Sequence, residues 1–176
     1  MSARTSNTMT LANGTNSPAI HGNWINGTGT TLSGTGTLTF NGRGSQTITS
    51  AGKVFTQAIN TNSPNGSVTL QDALTATFLN VIRGTFNAST YNLTLTSNTN
   101  GVLTAYTTPR TIAIGSGTWS IACPGATAWN ASTTTNLTVT GTGTISLTSA
   151  SAKTFAGGGA NYSGITLDNG GAVSYT

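Results

Sequence analysis

Glutamate is absent from this 176-residue chain, and two aspartates, one histidine and one cysteine leave few side chains able to do chemistry. Glycoside hydrolysis needs two carboxylates roughly 5 to 9.5 Å apart. Asp72, in "TLQDAL", and Asp168, in "TLDNGG", stand far apart in different repeats, and Asp168 reads as a turn former. His21, in "AIHGNW", has no second histidine to share a metal with or to complete a triad, and reads as a surface or loop residue. Cys123 alone makes no internal disulfide and no zinc set; it reads as a small buried apolar residue. No aspartate recurs after Gly-x-Gly as calcium-binding coils require, and the glycines of "AGGGA" run into a strand-like "NYSGITL" rather than the helix of a phosphate loop. The expectation is a non-enzyme with no catalytic, cofactor-binding or metal residues and no cofactor; no receptor-binding residue is assigned.

Charge is equally scarce, at 5% of residues. The net +4 comes from Arg4, Arg43, Lys53, Arg83, Arg110 and Lys153 against the two aspartates. The cations are scattered, and read as solvated single charges rather than a nucleic-acid patch. No run approaches the roughly 20 apolar residues of a spanning helix, and "MSARTSNTMTLANGT" lacks the apolar stretch of a signal peptide. Neither secretion nor membrane insertion is expected. Eight Asn-x-Ser/Thr sequons, among them Asn87, Asn92, Asn130 and Asn136, follow from composition alone.

What is present is threonine, the most frequent residue, and glycine, with Val, Ile, Leu, Phe and Trp spread evenly between them. Disordered chains combine low hydrophobicity with high net charge and many prolines; this one has four prolines and little charge. Thr, Val, Ile and the aromatics favour a pleated, half-buried surface, and helix formers are few, so the chain reads as all-β.

Internal repetition is visible. "GTGTLTF" from Gly34 matches "GTGTISL" from Gly141, each copy preceded by a tryptophan, Trp24 and Trp129. "TFNASTYNLTLT" from Thr85 lines up with "AWNASTTTNLTVT" from Ala128 after one insertion. Period-two pairs recur along the chain: Leu38/Phe40, Val68/Leu70, Leu93/Leu95, Ile112/Ile114, Trp119/Ile121, Leu137/Val139, Ile145/Leu147, Ile165/Leu167 and Val173/Tyr175. Such pairs face a core while the intervening Thr and Ser face water. Gly, Asn and Ser clusters between them make the corners.

Two architectures fit: a parallel β-solenoid (β-helix), in which coils stack, and an antiparallel β-sandwich or jelly roll. Repetition, short connections and low charge favour the solenoid. Three strands per coil give turns of about 25 to 30 residues, so roughly six coils and about 30 Å of stack at about 4.8 Å per strand. Residues 1–23 read as an N-terminal arm or attachment segment, and residues 24–176 as the repetitive solenoid domain, with "NGGAVSYT" leaving an open edge for a partner subunit or further coils. Trp24, Trp119, Trp129, Phe86, Phe155 and Tyr162 occupy inward slots of the alternation rather than sugar-stacking positions. The pairs Thr94/Thr96, Thr138/Thr140 and Thr142/Thr144 are too unevenly spaced for an ice-binding array.

"TPRTIAIGSGTWSI", "TAWNASTTTNLTVTGTGTISLTS" and above all "SAKTFAGGGANYSGITL" resemble the Gly/Thr/Asn-rich β-repeats of bacteriophage virion proteins, tail-fibre and tailspike-like, and of related bacterial surface adhesins. The resemblance covers Arg83 to the C-terminus, with a weaker echo over Trp24 to Leu70. It implies a non-enzymatic virion structural protein, a tail fibre, spike or surface appendage that acts as a rigid scaffold and attaches to a host surface. It also implies a homo-oligomer, a trimer before others, among other virion proteins, with a host surface glycan or receptor as partner, no nucleic acid and no membrane insertion. The expected location is the virion, assembled in the host cytoplasm. A bacterial cell-surface or filament-forming adhesin is the alternative, extracellular or at the cell surface, and an ice- or glycan-binding module the third.

Overall fold

The computed structural model describes residues 9–125 and 127–176. It is all-β, without a helix among the described residues, and its parallel sheets stack as a β-solenoid of about 8 turns. Each coil runs through up to three strands, one per face. The first face carries β1 (Met9–Ala12), β4 (Thr30–Ser33), β8 (Leu74–Ala76), β10 (Leu93–Leu95), β13 (Thr118–Ile121), β16 (Thr144–Leu147) and β18 (Thr166–Asn169). Between β4 and β8 one rung is reduced to the single parallel bridge Val54–Thr75.

The second face carries β2 (Ala19–Ile20), β5 (Leu38–Phe40), the first halves of β7 (Ile59–Leu70) and β9 (Leu79–Asn87), then β11 (Asn100–Leu103), β14 (Thr127–Asn130), β17 (Lys153–Ala156) and β19 (Val173–Tyr175). The third carries β3 (Trp24–Ile25), β6 (Ser45–Thr49), the second halves of β7 and β9, β12 (Arg110–Gly115) and β15 (Leu137–Gly141). Every described strand pair is parallel, so the antiparallel sandwich is not the fold.

The stack differs from the sequence expectation in three ways. Coils are more numerous than the six expected, and several are shorter. Val68 pairs with Phe86, Val102 with Trp129 and Lys153 with Val173, so the length of a coil changes along the axis and in places drops below the expected range. Short coils lie at both ends of the stack and through β7 and β9, which pass from the second face to the third within one strand. Coiling also begins before Trp24: β1 pairs with β4 and β2 with β5, and Leu11 and Ile20 pack on the core, so residues 9–23 belong to the stack. The rest of the expected arm, residues 1–8 with Arg4, lies outside the described residues.

The third difference is that the internal repeats are not coils. Leu38 of "GTGTLTF" lies on the second face and Ile145 of "GTGTISL" on the first; Phe86 lies on the third and its match Trp129 on the second. Each repeat is a corner-plus-strand unit reused one face away, which is tolerated because all three faces ask for the same inward alternation. The true coil repeat sets "GSGTWSI" (115–121) on "GTGTISL" (141–147), with Gly115 above Gly141 and Trp119 above Ile145. Gly115 has φ +75°, and a Cβ there would sit 1.7 Å from the Ser89 carbonyl oxygen, so the corner admits only glycine.

The interior follows the alternation. Leu38, Phe40, Val68, Leu70, Leu93, Leu95, Ile112, Ile114, Trp119, Ile121, Ile145 and Leu147 are buried. Aromatic rings from the three faces meet in the core: Phe86 edge-on to Trp119 at 5.8 Å, Trp119 tilted against Trp129 at 6.1 Å, and Trp129 stacked on Phe155 of the next rung at 5.4 Å and 15° between planes. The indole nitrogens are satisfied, Trp24 Nε1 donating to Asn26 Oδ1, Trp119 Nε1 to the Ile114 carbonyl and Trp129 Nε1 to Tyr162 Oη. In the last rung Tyr175 contacts Phe155 on one side only and stays exposed.

Two cations depart from the expectation of solvated single charges: Arg110 and Lys153 are each only 3% exposed. The Arg110 guanidinium bonds to oxygens alone. Nε donates to the Thr104 carbonyl and Oγ1, Nη1 to the carbonyls of Thr108 and Thr135, and Nη2 to those of Thr104 and Thr133. It staples the corner before β12 to the corner before β15. Burial lowers its pKa from the ordinary arginine value. Lys153 Nζ has no hydrogen-bond partner among the described residues.

Candidate binding groove

The corner between the second and third faces, over the first rungs, gathers what the sequence spreads out. Ile20 pairs with Phe40 and Phe40 with Thr61, so the residues that follow them, His21, Asn41 and Asn62, stack in one column; Asn62 in turn pairs with Arg83. At about 4.8 Å per rung the column runs roughly 14 Å along the axis.

Rung three interrupts the corner. Asn62 pairs with Arg83 and Ser67 with Thr85, so the segment from Ser63 to Gly66 stands opposite Gly84 alone and bulges outward. Asn65 takes φ +58° at the tip. The base is pinned by Ser63 Oγ, 3.1 Å from both the Phe40 carbonyl and Gln46 Oε1. Gln46 Nε2 donates to the carbonyls of Ile20 and Gly22, and its Oε1 accepts from the Gly42 amide, so one buried side chain ties together the corners of three rungs. Gly84, at φ +81°, must be glycine, because a Cβ would lie 2.1 Å from the Ser63 carbonyl oxygen.

Pro64, on the bulge, divides two hollows. One, of about 510 Å³, is lined by His21, Asn41, Arg43, Asn62 and Arg83; the other, of about 440 Å³, by Arg83, Thr85, Pro109 and Thr111, with Arg110 behind its wall. Arg83 and Pro64 border both, so the hollows form one groove along the axis. Arg43 is exposed and Arg83 half-buried. Among the described residues no carboxylate lines the groove, and both aspartates are engaged elsewhere. Asp72 accepts the backbone amides of Ser50 and Ala51 at 2.7 Å each, and Asp168 accepts Ser146 Oγ and the Asn169 amide. The groove is therefore positive and carries guanidinium donors with no acid beside them, an arrangement suited to holding an anion.

No protein-family profile, curated protein or solved structure matches this chain.

The structure separates the other residues singled out in the sequence. His21 joins the groove; Asp72 caps a corner between the third and first faces; Asp168 lies on β18. Among the described residues no three His, Cys, Asp or Glu side chains come together as metal ligands, and no helix is long and apolar enough to cross a membrane. Cys123 is buried, and burial pushes its thiol pKa up, opposed by the Gly125 amide and the charge of Lys153.

Trp24, Trp119, Trp129, Phe86 and Phe155 are core residues and Tyr162 packs against that core; the Tyr162 hydroxyl, under Trp129, has its pKa pushed up to about 12 by burial. The threonine pairs scatter. Thr94 stacks between Thr75 and Ser120 on the first face, whereas Thr138 and Thr140 stack on Thr111 and Ala113 on the third. The sequon asparagines work as corner residues: Asn87 Oδ1 accepts the Ser89 amide, Asn92 Oδ1 the Thr118 amide and Asn130 Oδ1 the Ser132 amide, while Asn136 Nδ2 donates to the Thr107 carbonyl.

The groove was not legible as a cluster in the sequence because whole coils separate its residues. His21 and Arg43 lie one coil apart, and Arg83 two coils further on, a relation that shows only once the coil length of this region is known.

Proposed function

We propose that this chain is a non-enzymatic structural segment of a bacteriophage virion appendage, a tail fibre, spike or similar, whose solenoid is a rigid scaffold and whose corner groove is its contact with a host surface. The observation that carries the reading is how the few reactive side chains are used. Asp72 and Asp168 accept backbone and hydroxyl donors in separate parts of the coil, Cys123 is buried in the core, and His21 stands in a groove with no acid beside it. A scaffold needs interior packing and satisfied corners, and that is where this composition goes. The virion setting is supported by the resemblance of the stretch from Arg83 onward to Gly/Thr/Asn-rich phage repeats.

The test is proteomic and hydrodynamic. Peptides of this chain are expected in purified virions, and light scattering with small-angle X-ray scattering is expected to show an elongated oligomer. Peptides confined to a bacterial envelope fraction would overturn the virion assignment in favour of a surface adhesin. A compact monomer would remove the fibre or spike role.

A further inference from the structure

We propose that the outward side of the third face binds the surface of ice, through a two-dimensional array of hydroxyls that the stack sets at regular spacing. The pairing of β6, β7, β9, β12 and β15 places Ser45, Ser67, Thr85, Thr111 and Thr138 in one column along the axis. Two residues further along each strand, Thr47, Thr69, Asn87, Ala113 and Thr140 form a second column. Eight of these ten positions carry a hydroxyl. The residues between the columns, Val68, Phe86 and Ile112 among them, are fully buried, so both columns point outward. Along the chain the same residues come at uneven intervals, because coil length varies. Coil length is set in the corners, however, and the register shifts of these strands fall outside the array, before Ser67 and after Ala113.

The array has two repeats. Neighbouring rungs stand about 4.8 Å apart, and alternate residues of a strand about 6.7 Å apart at right angles to that direction. Water oxygens in the prism plane of hexagonal ice repeat along two perpendicular directions at close to these distances. Five rungs carry the match roughly 19 Å along the axis. A β-branched side chain has few χ1 settings, so each threonine presents its hydroxyl and methyl in a fixed geometry rather than a mobile one.

The hydroxyls are also free. Among the described residues no side chain or carbonyl takes up any of the eight; Asn87 Oδ1, the engaged side-chain atom of the array, accepts the Ser89 amide. Each hydroxyl therefore keeps a donor and two acceptor sites for water. None of the ten positions is charged, so no ion holds water in a hydration shell of its own there. The first face fits less well. Its column Thr75, Thr94, Ser120, Ser146 starts beside the exposed Val54 and ends on Asp168, which accepts Ser146 Oγ, and Thr96 Oγ1 is turned to the Ala76 carbonyl. A crystalline polysaccharide fits less well too, because its flat faces are held by exposed rings and all three tryptophans lie in the core.

The experiment is nanolitre osmometry of the full chain, with uptake of the protein into a slowly grown ice hemisphere. The parent is expected to hold the freezing point below the melting point, to facet growing crystals and to be enriched in the ice. Thr69→Tyr and Thr111→Tyr each raise a ring above one column, and both are expected to lose these effects with circular dichroism unchanged. Thr94→Tyr, which makes the same change on the first face, is expected to keep them. A parent without effect on ice, Thr69 and Thr111 variants as active as the parent, or an equal loss from Thr94→Tyr overturns the proposal. Retention on microcrystalline cellulose without uptake into ice overturns it as well, in favour of an ordered polymer. The proposal does not rest on the virion setting, which stands or falls by its own test.

Discussion

Replacing Arg110 with methionine keeps most of the side-chain volume and removes the charge and every guanidinium donor. Two opposing terms follow. The buried guanidinium is bonded to neutral oxygens rather than to a carboxylate, so its removal relieves a desolvation penalty. Against that, the Thr104 carbonyl and Oγ1, both bonded in buried surroundings, lose their Arg110 donors, while the carbonyls of Thr108, Thr133 and Thr135 are partly buried and can turn to water. A stranded buried acceptor costs about 1 to 3 kcal/mol, and Thr104 supplies one, its carbonyl, since its Oγ1 keeps its bond to the Val81 carbonyl. Because every guanidinium nitrogen is bonded in the folded state, the acceptor term wins, and the expected net loss is about 1 to 2 kcal/mol. Urea unfolding followed by circular dichroism reads the total. Amide exchange reads the location: faster exchange is expected around residues 104–110 and 133–137, with the rungs of β5 and β6 unchanged, since a solenoid couples mainly to neighbours. A methionine variant as stable as the parent would refute the reasoning, because burial of the cation would then outweigh its bonds.

The remaining predictions concern the core, a corner and pH. Leu147→Asp puts an unpaired charge in the fully buried inner position of β16, and an unchanged melting temperature would show that this face does not point inward; the expected loss is about 3 kcal/mol or more. Asp72→Ala strands the amides of Ser50 and Ala51 and should lower stability by about 1 to 2 kcal/mol in urea titration, while Asp72→Asn, which keeps one acceptor, should recover part of it. Tyr162 holds its proton more tightly folded than unfolded, so its contribution is fully present below pH about 10 and is lost as pH rises toward about 12. The parent should therefore lose more stability than Tyr162→Phe over that interval, and parallel pH profiles would contradict the assignment.

The alternation was readable because a strand's period of two survives any connection. Leu93/Leu95, Trp119/Ile121 and Ile145/Leu147 all face inward as their spacing required. Coil length was not readable, because it is set by the corners: β7 and β9 turn from face to face inside one strand, at the Ser63–Gly66 bulge and at Gly84, so a turn-forming stretch there does not mark the end of a strand. The groove was hidden for the same reason. Without the coil length, His21, Arg43 and Arg83 are three isolated side chains; with it, they fall on one corner. Arg110 and Lys153 misled in the other direction, since nothing in "TPRTIAI" or "SAKTFAG" distinguishes a buried cation from a solvated one. The steps from "GSQTI" to "GSVTL" and from "GSGTWSI" to "GTGTISL" were present in the sequence and are local signals of the true coil.

The most direct test of the parallel stack is a distance between adjacent rungs. Ser120 and Ser146 pair directly on the first face although a whole coil separates them in sequence, whereas Thr94 and Ser146 lie two rungs apart. In a Cys123→Ala background, nitroxides on Ser120→Cys and Ser146→Cys sit on backbones about 4.8 Å apart and should show strong dipolar broadening, with weaker broadening for Thr94→Cys and Ser146→Cys. Sharp, uncoupled spectra from the adjacent pair would contradict the solenoid and, with it, the groove built on its corner.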